Sequence, residues 1–264
     1  LVESLVIVYA AIGGLLIGSF LTVVVDRVPR GESIVTPGSR CGSCDLRLGP
    51  LDLVPVVSWV VLRGRCRRCR SSIGIEPLVL ELTTAALFVA LAAKFGLSWE
   101  LFGYLALAGG LVANGWIDLR TMYLERSITE VTALLMTPLL VVAAIVGDEP
   151  RRIVTMLAGA AIAVAFMATV YALANRRYGH GQAFGWGDVV LSPLLGAALG
   201  WLGLGYVPVG LFLGFFIGAV VGVAAMAAGD AGMKTQIPFG PSLAAGTVAA
   251  VFVGEPIIDT LWGW

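Results

Sequence analysis

Two aspartates and four cysteines are the residues of this chain whose type and spacing suit chemistry. Asp118 lies in Trp116-Ile-Asp118-Leu-Arg120, and Asp188 lies in Gly185-Trp-Gly-Asp188-Val-Val-Leu191. Asp118 ends one long apolar run and Asp188 starts another, places where an ionisable residue is costly and calls for a reason. Two carboxylates brought together cannot both ionise easily, so they share a proton. One then serves as general base on a water and the other as general acid on a carbonyl, the chemistry of an aspartic peptidase. Gly185 and Gly187 are expected to support that loop, giving Asp188 a flexible or strained backbone approach and leaving room for a peptide.

The cysteines form two Cys-x2-Cys pairs, Cys41/Cys44 and Cys66/Cys69, separated by 21 residues. Each pair can turn both sulfurs toward one ion, which predicts a tetrahedral zinc site. The alternatives are two disulfides or two unbound thiol pairs. A closed four-cysteine site leaves no open coordination position, so its role is structural. The single histidine, His180, sits in a polar Gly-rich stretch and reads as solvated. With one histidine, HExxH zinc proteases and most mechanisms built on a histidine base are excluded.

The elements that must position these residues follow from composition. Of 264 residues, 58% are hydrophobic and 13% are charged, and mean hydropathy is +0.93. Soluble domains carry about 25% charged residues. Apolar runs recur along the chain without period-two alternation, which excludes an outer-membrane barrel and predicts an all-α polytopic membrane protein. Eight helices are expected, at 2–25, 77–95, 100–117, 127–147, 153–175, 188–203, 207–228 and 240–260. The charge-free stretch from Val189 to Gly229 is about two spans long and divides at Gly203–Pro208. The organisation expected is a first transmembrane helix (1–25), a polar insert with the cysteines (26–76) and a seven-helix membrane-embedded domain (77–264). The first apolar run is too long, and too poor in preceding basic residues, for a cleavable signal peptide. No internal sequence repeat is evident.

Basic residues set the orientation. Of 17 Lys/Arg, 14 fall on one side if the amino terminus is outside, nine of them in 26–76; the insert is then cytoplasmic. A reducing cytoplasm disfavours the disulfide alternative. Arg63, Arg65, Arg67, Arg68 and Arg70 suit anchoring and contact with anionic headgroups; no recognition helix or stacking pattern accompanies them, so nucleic acid is not an expected partner. Both aspartates fall at the cytoplasmic edge, whereas a proton-coupled transporter would place its acids near mid-membrane.

The sequence resembles the bacterial type IV prepilin peptidases, bifunctional leader peptidases and N-methyltransferases with a Gly-x-Gly-Asp motif. The likeness runs through Gly18-Ser-Phe-Leu-Thr-Val-Val-Val-Asp-Arg27-Val-Pro29, Pro37-Gly-Ser-Arg-Cys41, Arg63-Gly-Arg-Cys66, Ile73-Gly-Ile-Glu-Pro-Leu-Val-Leu-Glu81, Asp118, Gly185-x-Gly-Asp188 and Ile237-Pro-Phe-Gly-Pro241. The resemblance implies that Asp118 and Asp188 cleave a basic leader from prepilin-like proteins at the cytoplasmic face of the bacterial inner membrane. It also implies methylation of the new amino terminus from S-adenosylmethionine. Three positions depart from the family pattern: Thr22 stands for an asparagine, Glu125-Arg126 for a Pro-Asp or Pro-Asn pair, and Val190 for a lysine. Those departures motivate an alternative, a catalytically weak relative acting as an assembly or docking component of a pilus or secretion system.

Overall fold

A computed structural model describes residues 2–178, 185–229 and 237–262; His180 and Lys234 lie outside these. Among the described residues no strand is present, and backbone pairing outside helices includes two isolated antiparallel bridges, Arg40 with Arg47 and Arg65 with Ser72. The chain divides into two compact units, Leu1–Leu101 and Phe102–Trp264.

In the first unit, α1 (Val2–Arg27) packs along α3 (Glu76–Phe95). The crossing is close because α1 turns glycines toward it. A Cβ on Gly14 would lie 2.5 Å from Ala85 Cα, and one on Gly18 would lie 2.6 Å from Glu81 Cα. Small residues at such a contact let backbones approach where no hydrophobic gain drives association. α1 gives way to a short 3-10 turn with Pro29 at its start, closed by Gly31 in the left-handed region (φ 66°). α3 starts with proline in its first turn, where the missing N–H has no helical partner to lose. Between them lies the insert, containing a second 3-10 turn (Pro50–Asp52) and the five-residue helix α2 (Val57–Val61).

The second unit holds α4, α5, α6, α7, α8 and α9, namely Trp99–Thr121 (which begins at the boundary), Arg126–Val146, Arg151–Tyr178, Trp186–Leu202, Tyr206–Ala227 and Gly240–Trp262. α7 is its centre. It buries 11 of its 17 residues and packs mainly on α6, with further contacts to α5, α8 and α9. The α6–α7 contact is again glycine on glycine: a Cβ at Gly196 would sit 2.3 Å from the Gly159 carbonyl oxygen. α8 and α9 meet through Gly214 and Gly246 in the same way. The buried Tyr104 hydroxyl donates to the Ala198 carbonyl at 2.6 Å, joining α4 to α7.

The eight expected helices are present, each within a few residues of its expected bounds. Six are long and apolar enough to cross a membrane: α1, α3, α5, α6, α8 and α9. α7 is shorter, about 26 Å at 1.5 Å per residue against a hydrocarbon core of about 30 Å. A helix surrounded by neighbours has no lipid to match along its length, which is why the most buried helix is the short one. The outer faces stay apolar, as lipid requires; α8 exposes Phe212, Phe216, Val220 and Val223.

The glycine contacts give a direct test. Gly196→Val must push α6 from α7 and is expected to lower thermal stability in detergent by more than about 2 kcal/mol. Gly13→Ala, where a Cβ meets nothing within 4 Å, is expected to leave the melting temperature unchanged.

Candidate active site and metal centre

α4 does not stop at Asp118, as the sequence suggested, but runs another turn to Thr121. Asp188 stands in the first turn of α7. Both residues are only 5% exposed. Asp118 Oδ2 accepts the backbone N–H of Gly240 at 2.9 Å. That N–H belongs to the first residue of α9, where helix donors lack an intrahelical partner. Asp188 is met in the same manner by the backbone of Gly185, the residue capping α7.

One side chain links these pieces. Leu124, in the loop from α4 to α5, is the nearest neighbour of both Gly187 and Gly240: added Cβ atoms there would lie 3.0 Å from Leu124 Cβ and 2.7 Å from Leu124 Cδ2. The loop is tied down by Asn114, one turn before Asp118 and 1% exposed. Asn114 Oδ1 accepts the Glu125 N–H and Asn114 Nδ2 donates to Thr129 Oγ1, each at 3.0 Å. Glu125 thus starts α5 with its backbone held.

The glycines of the motif act differently from the expectation of a strained loop. Gly185 has ordinary extended angles (φ −81°, ψ 142°) and Gly187 lies within the helix. Their value is space: a Cβ on Gly185 would come 3.2 Å from Asp188 Oδ2. Sequence reasoning passed over Asn114, Leu124 and the role of Gly240. Asn114 was findable, as a buried amide within an apolar run; a leucine in a loop carries no such signal.

In the insert the two cysteine pairs come together. All four Sγ atoms lie within 4.8 Å of one another, with Cys41–Cys69 at 3.8 Å and Cys44–Cys66 at 3.9 Å. A tetrahedron of sulfurs about 2.3 Å from an ion has edges of about 3.8 Å, so the set fits one tetrahedral metal. The thiols are free, against the disulfide alternative.

The two pairs are one backbone motif used twice. Cys41 N–H donates to Leu46 O and Cys66 N–H to Ser71 O, both at 2.9 Å; Asp45 N–H returns to Cys41 O and Arg70 N–H to Cys66 O. Leu48 with Ser39 and Ile73 with Gly64 complete the parallel, and Asp45 and Arg70 share a left-handed φ (55° and 59°). Every equivalent pair is offset by 25 positions, from Ser39/Gly64 to Leu48/Ile73. The repeat was hidden because the turn conserves backbone geometry, and only Arg-Cys-x2-Cys is common to both copies.

These turns also prepare the sulfurs. Backbone N–H groups of Ser43 and Cys44, with the Ser71 hydroxyl, hold the Cys41 thiol down at about 6. The Ser71 hydroxyl and N–H lower Cys69. At Cys44 the Leu46 N–H favours the thiolate, but desolvation and the neighbouring Cys69, Cys41 and Cys66 together push it up to about 11. A metal entering at neutral pH therefore displaces at least the Cys44 proton.

Two outcomes are expected. Purified protein contains one thiolate-bound metal per chain, lost in Cys41→Ser or Cys66→Ser. Its apparent affinity rises with pH by about tenfold per unit for each proton displaced; metal analysis and competition titration check both. Asn114→Ala strands the Glu125 N–H and Thr129 and is expected to cost about 1–3 kcal/mol of stability, read by thermal denaturation.

Comparison with known proteins agrees with this layout. The Bacterial Peptidase A24 N-terminal domain matches residues 12–95 and the Type IV leader peptidase family matches residues 105–223. A prepilin leader peptidase/N-methyltransferase of Bacillus subtilis is 31% identical over 246 residues, 93% of this chain and 94% of its own. The protein of that name from Pseudomonas aeruginosa is 31% identical (94% of this chain, 90% of its own), and one from Myxococcus xanthus is 37% identical (87% and 66%). No solved structure matches significantly. With relatives above 30% identity along nearly its whole length, the chain belongs to the type IV leader peptidase family.

Proposed function

We propose that the chain is a membrane-embedded aspartic endopeptidase that removes basic leaders from type IV prepilin-like proteins, and that it methylates the amino terminus so exposed. The observation that supports the peptidase reading is the burial of Asp118 and Asp188 on α4 and α7 at positions that one side chain joins: Leu124 adjoins Gly187, next to Asp188, and Gly240, whose N–H meets Asp118. In this reading the ionised aspartate takes a proton from water, whose oxygen attacks the scissile carbonyl carbon. The protonated aspartate gives its proton to the carbonyl oxygen. Collapse of the tetrahedral diol breaks the C–N bond: the leaving amine takes the proton of one aspartate while a diol hydroxyl returns one to the other, so the dyad ends with its single shared proton. Gly185 and Gly187 keep the approach to Asp188 clear.

The methyl group comes from S-adenosylmethionine, as the relatives' name suggests. Cys41, Cys44, Cys66 and Cys69 hold a structural zinc, since four thiolates close the coordination shell. The amino terminus faces outward and the insert the cytoplasm of the bacterial inner membrane, supported by the 14-to-3 partition of basic residues. The relatives' names do not favour the assembly-component reading.

The test uses purified protein in lipid with a prepilin substrate, following leader loss and methylation by mass spectrometry. Asp118→Asn and Asp188→Asn are each expected to lower cleavage by at least about 100-fold while the protein stays folded. Gly240→Ala puts a Cβ 2.8 Å from Asp118 Oδ2 and is expected to cost about tenfold, equivalent to about 1.4 kcal/mol. Cleavage is expected to peak with pH, as a dyad sharing one proton requires. Wild-type turnover in either asparagine variant would remove the dyad mechanism.

A further inference from the structure

The five residues of α2 are too few to hold a helix unaided, and two hydrogen bonds show where it is held. Val56 N–H, at its start, donates to Glu81 Oε2 at 2.7 Å, and the Trp59 indole N–H donates to Gly74 O at 2.7 Å. Glu81 is buried on α3, five residues past Glu76, or about 7.5 Å along the helix axis. α3 is long and apolar enough to span a membrane. The start of α2 is therefore fixed beside the second turn of a membrane helix, at a depth comparable with the headgroup layer, about 5–7 Å per side.

Pinned there, α2 carries Val57, Val60 and Val61, which are 57%, 57% and 73% exposed. Their i, i+3, i+4 spacing makes one stripe. Beyond it come Arg63, Arg65, Arg68 and Arg70, all exposed and without an ion pair among the described residues. Arg67 differs, being paired with Asp52 at 2.8 Å. An apolar stripe rimmed by unpaired guanidinium groups, continuous with two bilayer-spanning helices, matches the order of chemistry met on leaving hydrocarbon for phosphate.

We infer that the Val57/Val60/Val61 stripe and its arginine rim form a bilayer-docking surface, valines at the acyl boundary and arginines on the phosphates of anionic lipids. The surface seats the metal-binding insert against the membrane rather than leaving it free in water. This role is separate from the dyad and does not depend on peptidase activity.

The test uses the full chain in nanodiscs of phosphatidylcholine and phosphatidylglycerol, with trifluoromethyl-phenylalanine at Val61 and, separately, at Val57. Reference labels go at Phe216, exposed on α8, and at Gly42, exposed with open space around it. Fluorine relaxation is measured with oxygen, which concentrates in lipid, and with a water-soluble nickel chelate. The expected result is that 61 and 57 follow oxygen, as 216 does, while 42 follows nickel. Nickel access at 61 and 57 equal to that at 42 overturns the proposal. Shielding from both reagents also overturns it, because a protein surface is then the occupant. Changing Arg63, Arg65, Arg68 and Arg70 to Gln is expected to shift 61 toward nickel; no shift overturns the anionic-lipid half.

Discussion

A carboxylate carried into an apolar helix bundle loses its water, at a cost of several kcal/mol unless other dipoles replace it. The second unit meets that demand with backbone. Gly240 at the start of α9 and Gly185 at the cap of α7 each turn peptide groups toward one aspartate, at helix ends where N–H groups have no other partner. The peptide dipoles behind those ends add a favourable field for negative charge. The backbone comes close to do so: a Cβ on Gly240 would lie 2.8 Å from Asp118 Oδ2.

That closeness propagates outward. Leu124 fills the space that side chains on Gly187 and Gly240 would occupy, so the α4–α5 loop must hold its course, and Asn114 holds it. α7 must sit deep to deliver Asp188, so its contact with α6 is made of Gly159, Gly196 and Gly200. The first unit uses the same device at Gly14 and Gly18 for another end, setting α1 against α3 so that the insert starts and finishes on neighbouring helices.

Much of this was legible from residues alone. Hydropathy located all eight long helices because lipid-facing and core-facing surfaces are both apolar, and long runs stand out whatever their environment. The cysteine spacing announced a four-sulfur cluster because two short-range turns do most of its construction. The aspartates were visible as charges out of place. Three features stayed hidden, each for a physical reason. α2 is held by hydrogen bonds that Val56 and Trp59 donate to Glu81 and Gly74, residues well beyond it in the chain. The 25-residue repeat lies in backbone hydrogen bonds that many side chains can accompany. Leu124 matters through what it excludes, and leucine in a membrane protein excites no notice.

The doubled cysteine turn has a thermodynamic corollary. Each copy offers half a coordination sphere, so binding an ion there would be an intramolecular association of two bidentate halves. Their effective concentration is set by how the chain between Arg27 and Glu76 is tethered. The tether is the α1–α3 crossing, since both ends of the insert leave from that helix pair. For an ion held there, helix pairing and ion affinity would then be linked by one coupling free energy. Linkage is reciprocal: whatever loosens Gly14 and Gly18 from α3 would weaken the hold on such an ion, and its loss would loosen the helices by the same amount.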